Sequence, residues 1–157
     1  MKMNFLATAA LVATAGCMSA TQPQRPETKP SPIATKPAPV VQLAGTSWEI
    51  VSINGTPVAE NAGGDTPSIA FTDGARVAFT GGCNRFMGGY AFGGPDVISF
   101  SEHAAGTKKA CTASLVKQDA RLMTALQSAQ RIIDSGAGKA IVDASGAELV
   151  LLTPAAH

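Results

Sequence analysis

Gly81-Gly82-Cys83-Asn84-Arg85-Phe86-Met87-Gly88-Gly89-Tyr90 sets one cysteine and one asparagine among four glycines. Glycine at this density marks backbone that turns where a side chain would clash. Asn84 suits the same setting, because asparagine tolerates a left-handed conformation and bonds its own backbone in turns. A cysteine in such a stretch fits catalysis, metal binding, redox chemistry or a structural bridge. The flanking sequence has to decide among them.

On both sides the pattern is that of short strands. Residues 68–71 and 76–79 alternate around Asp73-Gly74, a strong hairpin signal. Residues 90–92 and 97–100 flank Gly93-Gly94-Pro95-Asp96, a second hairpin. Residues 47–53 form a strand that carries Trp48 and ends at Asn54-Gly55. Residues 140–142 and 148–152 flank Ser145-Gly146, and 131–133 make one more short strand. Trp48 reads as core or barrel plug. The loop 56–66 has no apolar period and reads as a connection or a lid.

One segment, 114–130, has helical spacing. Leu115, Leu122, Leu126 and Ala129, with Met123 beside them, define an apolar stripe. Lys117, Gln118, Arg121 and Gln127 are assigned to the opposite face, and Thr112 or Ser114 to the N-cap. The predicted fold is mainly β (α+β): a small half-open antiparallel barrel of seven or eight strands with one packed helix.

The ends of the chain bear on where it works. Residues 1–17 read as a lipoprotein signal peptide: Lys2 is followed by an uncharged apolar run, Phe5 to Ala15, too short to span a bilayer as a helix. Ala15-Gly16-Cys17 resembles a lipobox, with Cys17 as the lipidated first residue of the mature chain and Thr14 where leucine is usual. The alternative cut at Ala13-Thr14-Ala15 would yield a soluble periplasmic protein. Met18 after Cys17, with no aspartate there, points to the outer membrane on the periplasmic side. Residues 18–42 contain six prolines and no apolar period, which predicts a disordered tether. Extended as polyproline II it reaches roughly 75–80 Å.

The remainder, 43–157, is one domain. It carries Arg76, Arg85, Lys108, Lys109, Lys117, Arg121, Arg131 and Lys139 against ten acids, so nucleic acid is not an expected partner. Lys108-Lys109 and Arg85 read as solvated surface cations. With Cys17 lipidated, Cys83 and Cys111 are left as an even pair in an oxidising compartment. A bridge between them closes a loop of about 29 residues, contributes roughly 3–4 kcal/mol and pins the helix start to the sheet. The competing assignment is a thiol or zinc site at Cys83, Cys111 and His103, although the spacing matches no standard zinc pattern.

Taken with Thr107-Lys108-Lys109-Ala110-Cys111, the opening stretch resembles the META domain, the HslJ-like family of heat-inducible bacterial proteins. Trp48 with Ile53-Asn54-Gly55, Phe71, and the terminal Leu149-Val150-Leu151 agree with it. The resemblance covers residues 43–152. It implies a small β-rich fold with one helix, with Gly82, Asn84, Arg85, Gly89, Tyr90 and Thr107 as structural motif residues. It further implies an association with stress responses, heat shock or novobiocin resistance, and no established enzyme activity.

His103 and His157 are the only histidines, so a serine or cysteine triad would depend on His103. No phosphate loop and no histidine–glutamate metal pair is present. The expected function is therefore that of a non-catalytic binding or assembly module, monomeric and without cofactor, held by its lipid anchor and meeting an unknown envelope protein. The alternative is a small barrel that binds a lipid or another apolar ligand, because few large side chains are available to fill its interior.

Overall fold

The computed structural model describes residues 42–59 and 66–156. The signal segment 1–17 with Cys17, the proline-rich segment up to residue 41, residues 60–65 of the 56–66 loop, and His157 lie outside the described residues.

The described chain is mainly β. In chain order the strands are β1 (Thr46–Ile53), β2 (Thr56–Pro57), β3 (Ser68–Thr72), β4 (Arg76–Thr80), β5 (Arg85–Phe92), β6 (Ile98–Phe100) and β7 (Ala105–Gly106). The helix α1 (Ala113–Gln127) follows, then β8 (Arg131–Ser135), β9 (Gly138–Val142) and β10 (Glu148–Pro154). Eight strands run in the order β6-β5-β4-β3-β1-β10-β9-β8, all antiparallel. β2 adds to β1 and β7 to β5.

The two ends of this sheet meet. Val97 bridges Arg131, the Ile98 amide donates to the Gln130 carbonyl, and the Ile132 amide donates to the Asp96 carbonyl. Arg131 Nε donates to Asp96 Oδ2 at 2.8 Å across the same seam. The barrel is thus nearly closed, which removes most of the open edge that an eight-stranded sheet would otherwise expose.

Alternation supplies the core. Ile69 and Phe71 of β3 and Val77 and Phe79 of β4 are buried and alternate with polar or small residues, Val150 and Leu152 of β10 are buried and alternate with the half-buried Leu149 and Leu151, and in β9 Ala140, Ile141 and Val142 are all buried. Phe71 meets Tyr90 edge-on at 5.1 Å, and Phe79 stacks on Phe86 at 5.3 Å. In β1 the register against β10 shifts between Ile50 and Ser52, which puts Val51 outside and buries Ser52 beside Ile53. Ser52 Oγ then donates to Glu148 Oε1 at 3.3 Å. Trp48 is half-buried against the core and donates from Nε1 to Thr46 Oγ1 at 2.8 Å.

The glycine-rich stretch behaves differently from its sequence reading. β5 begins at Arg85, not at Tyr90, so Gly88 and Gly89 lie inside a strand and do not make a turn. Ser101 explains them: its side-chain oxygen accepts the Gly89 amide at 2.9 Å and would stand 3.0 Å from a methyl group on Gly88.

α1 runs along the barrel with Leu115, Gln118, Asp119, Leu122, Ala125 and Leu126 buried. It is neither long nor apolar enough to cross a membrane. Thr112 occupies the N-cap without a side-chain cap bond, its hydroxyl pairing with that of Ser114 at 3.0 Å, so the expected cap by either side chain is absent. The space between helix and sheet, lined in part by Phe79, Phe100, Met123 and Leu126, has a volume of ≈ 10 Å³. It holds about one water and no acyl chain.

Candidate functional site

The loop 81–84 joins β4 to β5 and turns with Gly82 at φ +110°, a value that favours glycine. Its amides converge on one carboxylate from α1. Asp119 Oδ1 accepts from the Gly81 amide at 3.0 Å and the Cys83 amide at 3.3 Å. Asp119 Oδ2 accepts from the Asn84 amide at 2.8 Å and from Asn84 Nδ2 at 3.1 Å. Successive backbone N–H groups on a concave turn form a nest for an anion. Here the anion is a side chain of the same protein, only 3 % exposed. Four donors offset the cost of burying it.

Gln118 completes the clamp. Its Nε2 donates to the Gly81 carbonyl at 2.6 Å and to the Ala59 carbonyl at 2.7 Å, while its Oε1 accepts the Ala59 amide at 2.9 Å. The side chain therefore ties the segment after β2 and the glycine loop to the helix. It was expected on the solvent face of α1, but it is 3 % exposed. Positions 115, 118, 119, 122, 125 and 126 fall on one stripe at helical spacing, and the polar pair belongs to that stripe.

Asn84 is the second hub. Its Oδ1 accepts from Thr107 Oγ1 at 3.1 Å and the Lys109 amide at 2.8 Å. Its Nδ2 donates to Asp119 and to Cys83 Sγ at 3.2 Å. The expectation of a left-handed residue bonding its own backbone is corrected: among the described residues the non-glycines at positive φ are Asn54 and Ala75, and the Asn84 oxygen reaches across to the 107–109 segment. Thr107 holds the loop by its hydroxyl, which also accepts the Arg85 amide at 3.1 Å.

Cys83 and Cys111 form a disulfide with Cα atoms 6.0 Å apart. Both thiols are consumed, so they cannot serve as zinc thiolates with His103, which lies exposed between β6 and β7. No group of three metal-ligating side chains occurs among the described residues. The thiol or metal assignment is thereby corrected to a structural bridge.

The remaining motif residues are placed simply. Gly82 turns the loop, Gly89 pairs Ser101, and Tyr90 is buried against Phe71. Arg85 is exposed on β5. No buried side-chain nitrogen or oxygen among the described residues lacks a hydrogen-bond partner. Sequence reasoning missed Asp119 and Gln118. The signal that would have found them is their phase on the helix, in register with Leu115 and Leu122.

The family model of the META domain matches residues 41–155, and the chain belongs to that family. No curated protein and no solved structure matches it.

Proposed function

We propose that this META-domain chain is a non-catalytic lipoprotein of the cell envelope, a stress-related binding or assembly module carried on a proline-rich tether. One observation carries the non-catalytic part. The polar side chains that gather at the glycine loop are spent on the fold: Asn84, Thr107, Gln118 and Asp119 all have protein partners. A catalytic constellation normally keeps a polar group aimed at where substrate will sit. The surface of the barrel is then the working part, and the hub keeps it rigid.

Anchorage follows from the sequence at Cys17, with periplasm-facing outer membrane as the destination. Cys17→Ser is expected to release the chain from membranes, because acyl chains at ~0.8 kcal/mol per buried methylene hold a lipoprotein almost irreversibly. Continued fractionation of that variant with the outer membrane would remove the anchor reading. The binding role is tested by cross-linking in intact envelopes, comparing the wild-type chain with one lacking residues 18–42. A discrete cross-linked species lost or weakened without the tether supports the module; no discrete species in either removes it. An apolar ligand held in the interior is the weaker reading, since the ≈ 10 Å³ under the helix would require α1 to move away.

A further inference from the structure

The motif uses the main chain of Arg85 and Lys109 and leaves their charges over. The Arg85 amide donates to Thr107 Oγ1, the Thr107 amide to the Arg85 carbonyl, and the Lys109 amide to Asn84 Oδ1. These bonds fix the stretch 107–109 beside the start of β5. The side chains of Arg85, Lys108 and Lys109 are exposed at this one corner. Among the described residues the ion pairs are Arg131–Asp96 and Lys139–Asp134, and no described carboxylate lies at bonding distance from any of the three cations.

An apolar side chain stands next to Arg85 on this face. Met87 lies two residues after Arg85 on β5, hence on the same outer face. It is 52 % exposed, the highest value among the large hydrophobic side chains described. Its cross-strand neighbours are Ala78 on β4 and Ala105 on β7, and neither is long enough to cover it. Grooves of ≈ 170 Å³ and ≈ 350 Å³ run on either side of the Arg85–Met87 ridge.

We propose that the corner formed by Arg85, Met87, Lys108 and Lys109 docks on a lipid surface bearing anionic phospholipid headgroups. The cations meet phosphates, and the unbranched Met87 side chain enters the headgroup layer beside Arg85. An acidic peptide would satisfy the cations but gives no reason for an uncovered methionine beside Arg85. The approach is supplied by the same chain: Arg25, Lys29 and Lys36 outnumber Glu27 in the segment before the barrel. The inference takes its bilayer from the anchor reading under Proposed function.

The test uses the full chain as purified from envelopes, incorporated into vesicles of phosphatidylcholine alone or with roughly 30 % phosphatidylglycerol. Lysine acylation is read by mass spectrometry. Labelling of Lys108 and Lys109 should fall severalfold in the anionic vesicles and recover at high salt, which screens surface charge. Lys139, paired with Asp134, should not change. Arg85→Gln should weaken the protection of both lysines by about fivefold, the partition worth of one cation near such a surface. Met87→Ser should weaken it too. Neither change should alter the melting temperature, because the hub does not use these side chains. Equal labelling in both vesicles overturns the inference, and sedimentation with neutral vesicles in that case leaves the anchor standing. Protection by soluble polyglutamate but not by anionic vesicles also overturns it and assigns the corner to an acidic peptide. Protection in anionic vesicles by a chain that does not sediment with neutral ones supports the inference and removes the anchor instead.

Discussion

Asp119 Oδ1 lies 3.0 Å from the Gly81 amide nitrogen, and a methyl group on Gly81 would lie 2.7 Å from that oxygen and 2.8 Å from the Asp119 Cα. The bond and the missing side chain are two aspects of one close approach. The helix backbone comes so near the loop that only glycine fits, and the carboxylate then reaches the amides of Gly81, Cys83 and Asn84.

Asp119→Ala should therefore cost about 3–5 kcal/mol, since it strands the amides of Gly81, Cys83 and Asn84 in a buried site. Gly81→Ala should also destabilise strongly, because the clash involves helix backbone and not the end of a flexible side chain. The double variant should lose less than the sum, as both changes disturb one contact. Thermal denaturation followed by circular dichroism measures all three. Additive losses would show that loop and carboxylate act independently.

Gln118→Leu preserves size and places an apolar group on an apolar stripe, so simple hydrophobicity favours it. The hydrogen bonds predict the opposite. The carbonyls of Gly81 and Ala59 and the amide of Ala59 would lose their partner. A loss of about 2–4 kcal/mol is expected. The same variant should speed proteolysis near Ala59, and unchanged stability would mean that water replaces the side chain at no cost.

Most strands and the barrel were legible because Asp73-Gly74, Asn54-Gly55 and Ser145-Gly146 mark turns between alternating runs, and alternation follows directly from a half-buried sheet. The closure between β6 and β8 was not legible, since it rests on the single Val97–Arg131 bridge and backbone bonds on either side of it. β5 was read too short because Gly88 and Gly89 look like breakers, while their purpose is to make room for Ser101, which follows Gly89 by 12 residues. The disulfide was legible from the cysteine count together with the oxidising compartment that residues 1–17 lead one to expect. Asp119 and Gln118 were hidden because a polar residue on a helix is assigned to solvent by default. Only the convergence of loop amides, a three-dimensional fact, makes burial favourable for them.

The disulfide and the Asn84 hub connect the same two segments, 81–84 and 107–111. Cys83→Ser and Cys111→Ser should each lower stability by roughly 3–4 kcal/mol, and the double variant should add little to either. Thiol titration of the unfolded wild-type chain before and after reduction should show two thiols appearing from this bridge. Asn84→Ala in the reduced chain should cost more than in the oxidised one, because the bridge otherwise keeps Thr107 and Lys109 beside the loop. Equal costs in the two redox states would show that the hydrogen bonds and the bridge hold different segments.

The turn between β9 and β10 supplies a pH dependence of known sign. Asp143 accepts from the Ser145 hydroxyl at 2.7 Å, the Ser145 amide at 2.8 Å and the Ala147 amide at 3.0 Å. These bonds, the Ser145 hydroxyl first and the Ala147 amide next, hold its carboxyl below the ordinary value of 3.8. A carboxylate with a depressed folded pKa binds fewer protons in the folded state than in the unfolded one. Its contribution to stability is therefore complete above the unfolded pKa and is lost as pH falls through the folded one. Asp143→Asn should lower the melting temperature slightly at pH 6, and the gap to wild type should close as pH drops below the ordinary aspartate range. The group is at the surface, so the effect is small and further reduced by salt. Melting curves of both chains from neutral pH down to about 2 settle the sign. A gap that widens toward acid would mean that the turn prefers a neutral side chain at 143 and that the three hydrogen bonds do not select the carboxylate.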